Sequence, residues 1–190
     1  MKQGEGFLRT NINPTILVML VLILSGLSPI RAEVKDSSAI GFTIQDTVII
    51  AAEPNDVYHS LVAEVGRWWD SAHTFSGNAS NLSIDDRAGG CFCEKLENGG
   101  SVRHLEVVFA DPGKTLRMIG GLGPLQAMAV TGSMAWSLSK TDTSTNVKVT
   151  YSVGGYRPGG LQKMAPLVDK VMFEQLKRLK EYIEKNELKR

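Results

Sequence analysis

Three histidines, two cysteines one residue apart and a few well-spaced carboxylates are the groups through which this chain can do chemistry. His73 follows Asp70 by three residues in WWDSAHTFSG, a spacing that brings an imidazole near a carboxylate at the end of a helix. His104 lies in the strand-like run SVRHLEVVFA, where Glu106, two residues on, is expected on the same face. Glu94 stands in the run before it, across an Asn-Gly-Gly turn. His73, Glu94, His104 and Glu106 are therefore the candidates for acid–base catalysis, with the Tyr151 hydroxyl as a further player. A lone histidine is more often solvated or structurally hydrogen-bonded than catalytic, and that plainer role also fits His59, inside a helical stretch. No Gly-x-Ser-x-Gly or other nucleophile motif is present, which gives no support to acyl transfer.

Cys91 and Cys93, in GGCFCE, admit three states. On an extended strand, residues two apart share a face with Cα atoms about 6.5–7 Å apart. That is at or past the limit for a relaxed disulfide, so a bond between them requires a bulge. A metal site would combine the two thiolates with His104 and His73, a set that zinc accepts. It is a weaker pattern than paired Cys-x-x-Cys knuckles, and no metal is favoured. The third state is two reduced, inert side chains behaving as small hydrophobes, and it is the one expected.

Compartment bears on that choice. Lys2 and Arg9 precede an unbroken apolar run, Ile16 to Leu24, which Ser25, Gly26, Ser28 and Pro29 break before Ala32. This order of charged, apolar and small residues reads as an export signal over 1–32, cut after Ala32. Spanning a bilayer takes about 20 apolar residues, and this run stops well short. The expected location is outside the cytoplasm, in the periplasm, with an uncleaved membrane anchor as the alternative. Removing 1–32 leaves 18 of 21 basic and 19 of 20 acidic residues, a net charge near −1. Such a balance provides no electrostatic case for nucleic acid or anionic lipid. A linker over 33–39, one domain over 40–186 and a tail over 187–190 complete the organisation.

The elements that must position these groups follow from periodicity. IGFTIQDTVIIAA (40–52) reads as a strand, and EPNDVYHSLVAEVGRWW (53–69) as a helix with Pro54 in its first turn. Strand-like runs follow at 79–86, 91–96, 101–110, 114–121, 130–140 and 145–155, with Asn98-Gly99 a strong hairpin signal. Alternation puts Met134, Trp136 and Leu138 on one face, and Val147, Val149, Tyr151 and Val153 on one face of the next run. From about Leu161 or Pro166 to Asn186, Met164, Val168, Val171, Met172, Leu176, Leu179 and Ile183 recur at helical spacing. The sum is an α+β domain in which about seven antiparallel strands curve around a long C-terminal helix, with short helices after the first strand.

The stretches at 68–77, 89–128, 132–139 (GSMAWSLS) and 151–161 (YSVGGYRPGGL) resemble the SRPBCC superfamily of helix-grip proteins. That superfamily takes in START lipid-transfer domains, birch-pollen-allergen-like proteins, polyketide cyclases and dehydrases, and heat-shock-ATPase activators. The resemblance covers about residues 40–186 and implies a mainly apolar cavity between sheet and C-terminal helix. A hydrophobic small molecule is then the expected partner, and Trp69, Met118, Met128, Met134, Trp136, Tyr151, Tyr156 and Met172 are its expected contacts. A lyase or cyclase working in the same cavity is the alternative function, and a protein-interaction module the third. The glycine-rich loop GGLGPLQAMAVTG (120–132) lacks the lysine of a phosphate cradle and is expected at the cavity mouth. No cofactor is implied.

Overall fold

The computed structural model of the chain describes residues 31–187. The export segment expected over 1–32 lies outside these except for Arg31 and Ala32, and the tail expected over 187–190 lies outside them except for Glu187. Eleven elements run in order: β1 (Arg31–Ser37), β2 (Gly41–Ile50), α1 (Pro54–Ala63), α2 (Val65–Trp68), β3 (Leu82–Ile84), β4 (Cys91–Lys95), β5 (Ser101–Asp111), β6 (Thr115–Ile119), β7 (Ala129–Lys140), β8 (Thr145–Tyr156) and α3 (Ala165–Glu187). The strands form one antiparallel sheet in the order β1-β2-β8-β7-β6-β5-β4-β3. With α3 lying across its inner face, this is the helix-grip fold.

The sheet has eight strands rather than seven because 31–37, expected as signal end and linker, pairs with β2. Its sequence, RAEVKDS, is too charged to show an apolar alternation, which is how an edge strand discourages further pairing. The helix expected over 53–69 is broken at Glu64, where φ −118° and ψ 19° depart from helical values, and α2 continues as a single turn. The Asn98-Gly99 hairpin forms with both residues at positive φ, 60° and 81°.

Alternation decides the core. Met134 faces Tyr151, Trp136 faces Val149 and Leu138 faces Val147 across β7 and β8, and all six side chains are buried. On α3, Met172, Leu176, Leu179 and Ile183 are buried against β2 and its neighbours. Met164, Val168 and Val171, from the same stripe, are only half-buried, because the N-terminal part of α3 faces open space rather than the sheet.

One inward position of β2 breaks the apolar pattern. Asp46 is fully buried between Ile44 and Val48, and neither carboxylate oxygen has a hydrogen-bond partner of good geometry. Burial raises its pKa to about 7, helped by the nearby Asp169 of α3, and the Glu33 amide pulls only weakly the other way. Asp169 is itself raised, by burial and then by Glu33. A carboxyl whose folded pKa exceeds its unfolded value holds a proton that the unfolded chain has released, so stability falls as pH rises from about 4 to about 7. Integrated over that window, Asp46 costs on the order of 4 kcal/mol above pH 7. We therefore expect Asp46→Asn to gain stability relative to the unchanged chain as pH rises from 4 to 8, by roughly 2–4 kcal/mol in urea denaturation at pH 8. A difference that does not change with pH would contradict this account of the site.

Candidate functional site

An apolar cavity of about 380 Å³ opens beside the N-terminal half of α3. Three segments build it: Trp69 to Phe75 after α2, Leu122 to Leu125 before β7, and Met164 to Met172 at the start of α3. Of the side chains around it only Trp69, His73 and Thr74 carry nitrogen or oxygen, and the Trp69 indole N–H is already committed to a backbone carbonyl. Phe75 and Leu167, both on its rim, are 54% and 59% exposed, so the apolar lining continues onto the surface at the cavity's edge.

Each wall is held by a specific contact. The Trp69 indole N–H donates to the His73 carbonyl at 3.1 Å, and Asp70 accepts from the Ala72 amide, so 69–73 is a fixed turn. Buried Gln175 of α3 accepts from the Asp70 amide at 2.8 Å. On the other side, the Tyr151 hydroxyl donates to the Gly120 carbonyl at 3.0 Å and accepts from the Leu122 amide at 3.1 Å. Burial lifts this phenol to about 12, so it remains a neutral strut under the glycine-rich loop.

Behind Phe75 lies the most concentrated polar chemistry of the domain. The Glu94 carboxylate accepts from the Phe75 amide at 3.1 Å, from the Ser76 amide at 2.5 Å and from His104 Nε2 at 2.9 Å. Glu94 and His104 are both buried, 1% and 4% exposed. Burial alone would raise the Glu94 pKa, but hydrogen bonds from Ser76, Phe75 and His104 outweigh it and hold the carboxyl below its ordinary value. Burial lowers the His104 pKa, and Glu94 opposes this only in part. The pair is therefore carboxylate and neutral imidazole, with the proton on Nε2 pointing at Glu94. Nδ1 is left as a buried acceptor without a partner. The His104 ring packs between Phe75, at 5.8 Å, and Phe92, at 5.1 Å.

A register slip puts His104 there. Phe92 pairs with Leu105 but Cys93 pairs with Arg103, so His104 is an extra residue on β5. At such a bulge two consecutive side chains turn to one face, and His104 and Leu105 are both buried. This shifts Glu106 to the opposite face, where it pairs with Arg103 at 2.9 Å instead of sharing the face of His104 as strict alternation predicts.

The same slip accompanies a change in the cysteines. Cys91 and Cys93 form a disulfide with Cα atoms 5.4 Å apart, closer than an extended strand allows, which corrects the expectation of reduced, inert side chains. The thiolates needed for a metal site are thereby consumed. The half-buried sulfurs also lie on the face of β4 opposite Phe92 and Glu94, away from His104. Among the described residues no group of three or more His, Cys, Asp or Glu side chains is arranged to hold a metal.

Of the expected ligand contacts, Trp69 and Met172 line the cavity. Met118, Met134, Trp136 and Tyr151 are at most 2% exposed and belong to solid core, because the sheet closes on α3 at that level. Met128 packs at the core's margin, and Tyr156 is 72% exposed. Of the acid–base candidates, His73 sits on the rim with Nε2 3.7 Å from Glu174, and Glu94 and His104 form the buried pair. Phe75, Leu122, Leu125, Val168 and Val171 were not foreseen as lining residues. Only the helical stripe and the apolar character of the 120–132 loop signalled some of them.

No protein-family model matches this chain, and no curated protein does. Solved structures share its fold at low identity. Mll3558 from Rhizobium loti aligns with a TM-score of 0.57 at 19% identity over 76% of this chain and 98% of its own. The Aha1 dimer protein from Colwellia psychrerythraea gives 0.54 at 18%, over 75% and 96%. DynU16, from the dynemicin biosynthetic locus, gives 0.54 at 20%, with 75% of this chain matching 47% of that one.

Glu94 ties the sheet to the cavity wall, and this is measurable. Glu94→Gln keeps the size but cannot accept from all three donors, so we expect a loss of about 2–4 kcal/mol in urea denaturation at pH 7. In the unchanged chain the depressed Glu94 pKa gives stability that is present above about pH 4.5 and lost on acidification below it. Glu94→Gln should lack this acid-dependent component. A Glu94→Gln variant as stable as the parent at pH 7 would contradict the tie.

Proposed function

We propose that this chain is an SRPBCC-like protein, exported from the cytoplasm, that binds small to medium hydrophobic molecules in the cavity between Trp69–Phe75, Leu122–Leu125 and α3. The observation that carries this reading is an apolar cavity of about 380 Å³, rimmed by exposed Phe75 and Leu167, whose uncommitted polar side chains are His73 and Thr74. Its volume falls at the small end of ligand sites, and its nearly all-apolar lining favours a ligand with one polar end directed to His73. The disulfide supports an oxidising compartment. Among the described residues no helix is long and apolar enough to cross a membrane.

The Glu94–His104 pair supports a second reading, a lyase- or cyclase-type enzyme. A neutral imidazole with its Nε2 proton fixed by a carboxylate has a free lone pair on Nδ1, which is the form of a general base. Burial behind Phe75 favours binding over this alternative, since a base must reach the proton it removes.

Titration with N-phenyl-1-naphthylamine tests the binding reading. We expect a saturable rise in probe fluorescence that Val171→Trp, which fills the cavity, weakens about tenfold or more in Kd. The same change at Val108, exposed on β5, should leave Kd within about twofold. Equal affinity in the Val171→Trp variant would remove the cavity from consideration.

A further inference from the structure

The Cys91–Cys93 bond has no part in the binding reading, and it closes only three residues. So short a loop removes little entropy from the unfolded chain, so holding the fold together is not its evident role. We propose that Cys91–Cys93 is a thiol–disulfide exchange site, open to a dithiol reductant on the outer face of the sheet, whose state sets the position of Phe92 and Glu94 on the inner face.

Geometry links the two faces. The bond holds the two Cα atoms at 5.4 Å, whereas an extended strand spaces them about 6.5–7 Å apart, so reduction lets β4 lengthen by about 1 Å at this point. The only residue between the cysteines is Phe92, whose ring packs edge-on against Trp69 at 5.3 Å and, tilted, against His104 at 5.1 Å. Trp69 is a cavity wall. The next residue is Glu94, which holds the Phe75 and Ser76 amides and His104. The register slip that turns His104 inward falls between Phe92 and Cys93, within the disulfide loop. Lengthening β4 therefore reaches the cavity through Trp69, against which Phe92 packs, and Phe75, whose amide Glu94 holds.

Access and chemistry suit exchange. Both cysteines are half-buried rather than enclosed. Across β5, Cys93 stands opposite Arg103 and Cys91 opposite Glu106, and Arg103 and Glu106 are paired with each other. A thiolate of the reductant attacks one sulfur, the Cys91–Cys93 bond breaks, and the displaced cysteine leaves as a thiolate that takes a proton from water. The reductant's second thiol then displaces the other cysteine, closing the reductant's own disulfide. Two electrons pass to the pair, and a disulfide oxidant reverses the sequence.

The proposal is independent of what fills the cavity, and its test uses no ligand. Full-length protein is treated with dithiothreitol without denaturant, its thiols are counted, and amide hydrogen exchange is followed residue by residue by NMR. We expect two thiols to be released, and the Phe75 and Ser76 amides to exchange about tenfold faster than in the oxidised protein, while Val147 in β8 keeps its rate. Oxidised dithiothreitol should restore the slow rates, and Cys93→Ser should show the fast ones with or without reductant. Thiols that appear only in denaturant, unchanged Phe75 and Ser76 rates, or equal acceleration at Val147 would each overturn the proposal.

Discussion

A carboxylate taken out of water is costly unless its oxygens are fully hydrogen-bonded, and Glu94 meets that condition with groups from two distant parts of the chain. Two backbone amides from the segment after α2 and one imidazole from β5 converge on it. This convergence joins the sheet to the turn that carries Trp69, His73, Thr74 and Phe75, and so one wall of the cavity depends on a single side chain of β4. Gln175 and Tyr151 secure the remaining walls with ordinary hydrogen bonds, which are weaker than those to a charge.

The β5 bulge is what makes the convergence possible. In strict alternation His104 and Leu105 would point to opposite faces, and Glu106 would join His104. The extra residue lets His104 meet Glu94 while Leu105 stays in the core. Across from it on β4, Cys91 and Cys93 share the outer face as residues two apart do, and they are joined at a spacing that regular β structure does not provide. Inner polar pair, outer disulfide and register slip are thus one local arrangement seen from its two sides.

Much of the fold was legible in the sequence because it rests on periodicity. The β7 and β8 faces, the stripe on α3 and the Asn98-Gly99 turn each follow from side-chain direction or backbone conformation at single residues. Charged β1 carries no such pattern, so its sequence reads as signal end and linker. The bulge was invisible for the same reason: alternation presumes unbroken register, so it misplaced Glu106 and set the cysteines too far apart. The cavity was the least legible feature. Large inward residues such as Trp136 and Tyr151 were expected to line it, yet how far the sheet closes on α3 depends on curvature, and at their level it closes fully. Asp46 is likewise not legible, since a carboxyl among inward apolar residues gains its meaning from Asp169, which is distant in sequence.

On the proposed binding function, hydrophobic molecules occupy the space beside the N-terminal half of α3, not the interior between sheet and helix. Isotope-filtered nuclear Overhauser spectroscopy of the protein with bound N-phenyl-1-naphthylamine locates the probe directly. Cross-peaks from its ring protons to the methyl groups of Leu122, Val168 and Val171 are the result this account predicts. Cross-peaks to Leu138 and Val147, deep in the β7–β8 core, would contradict it.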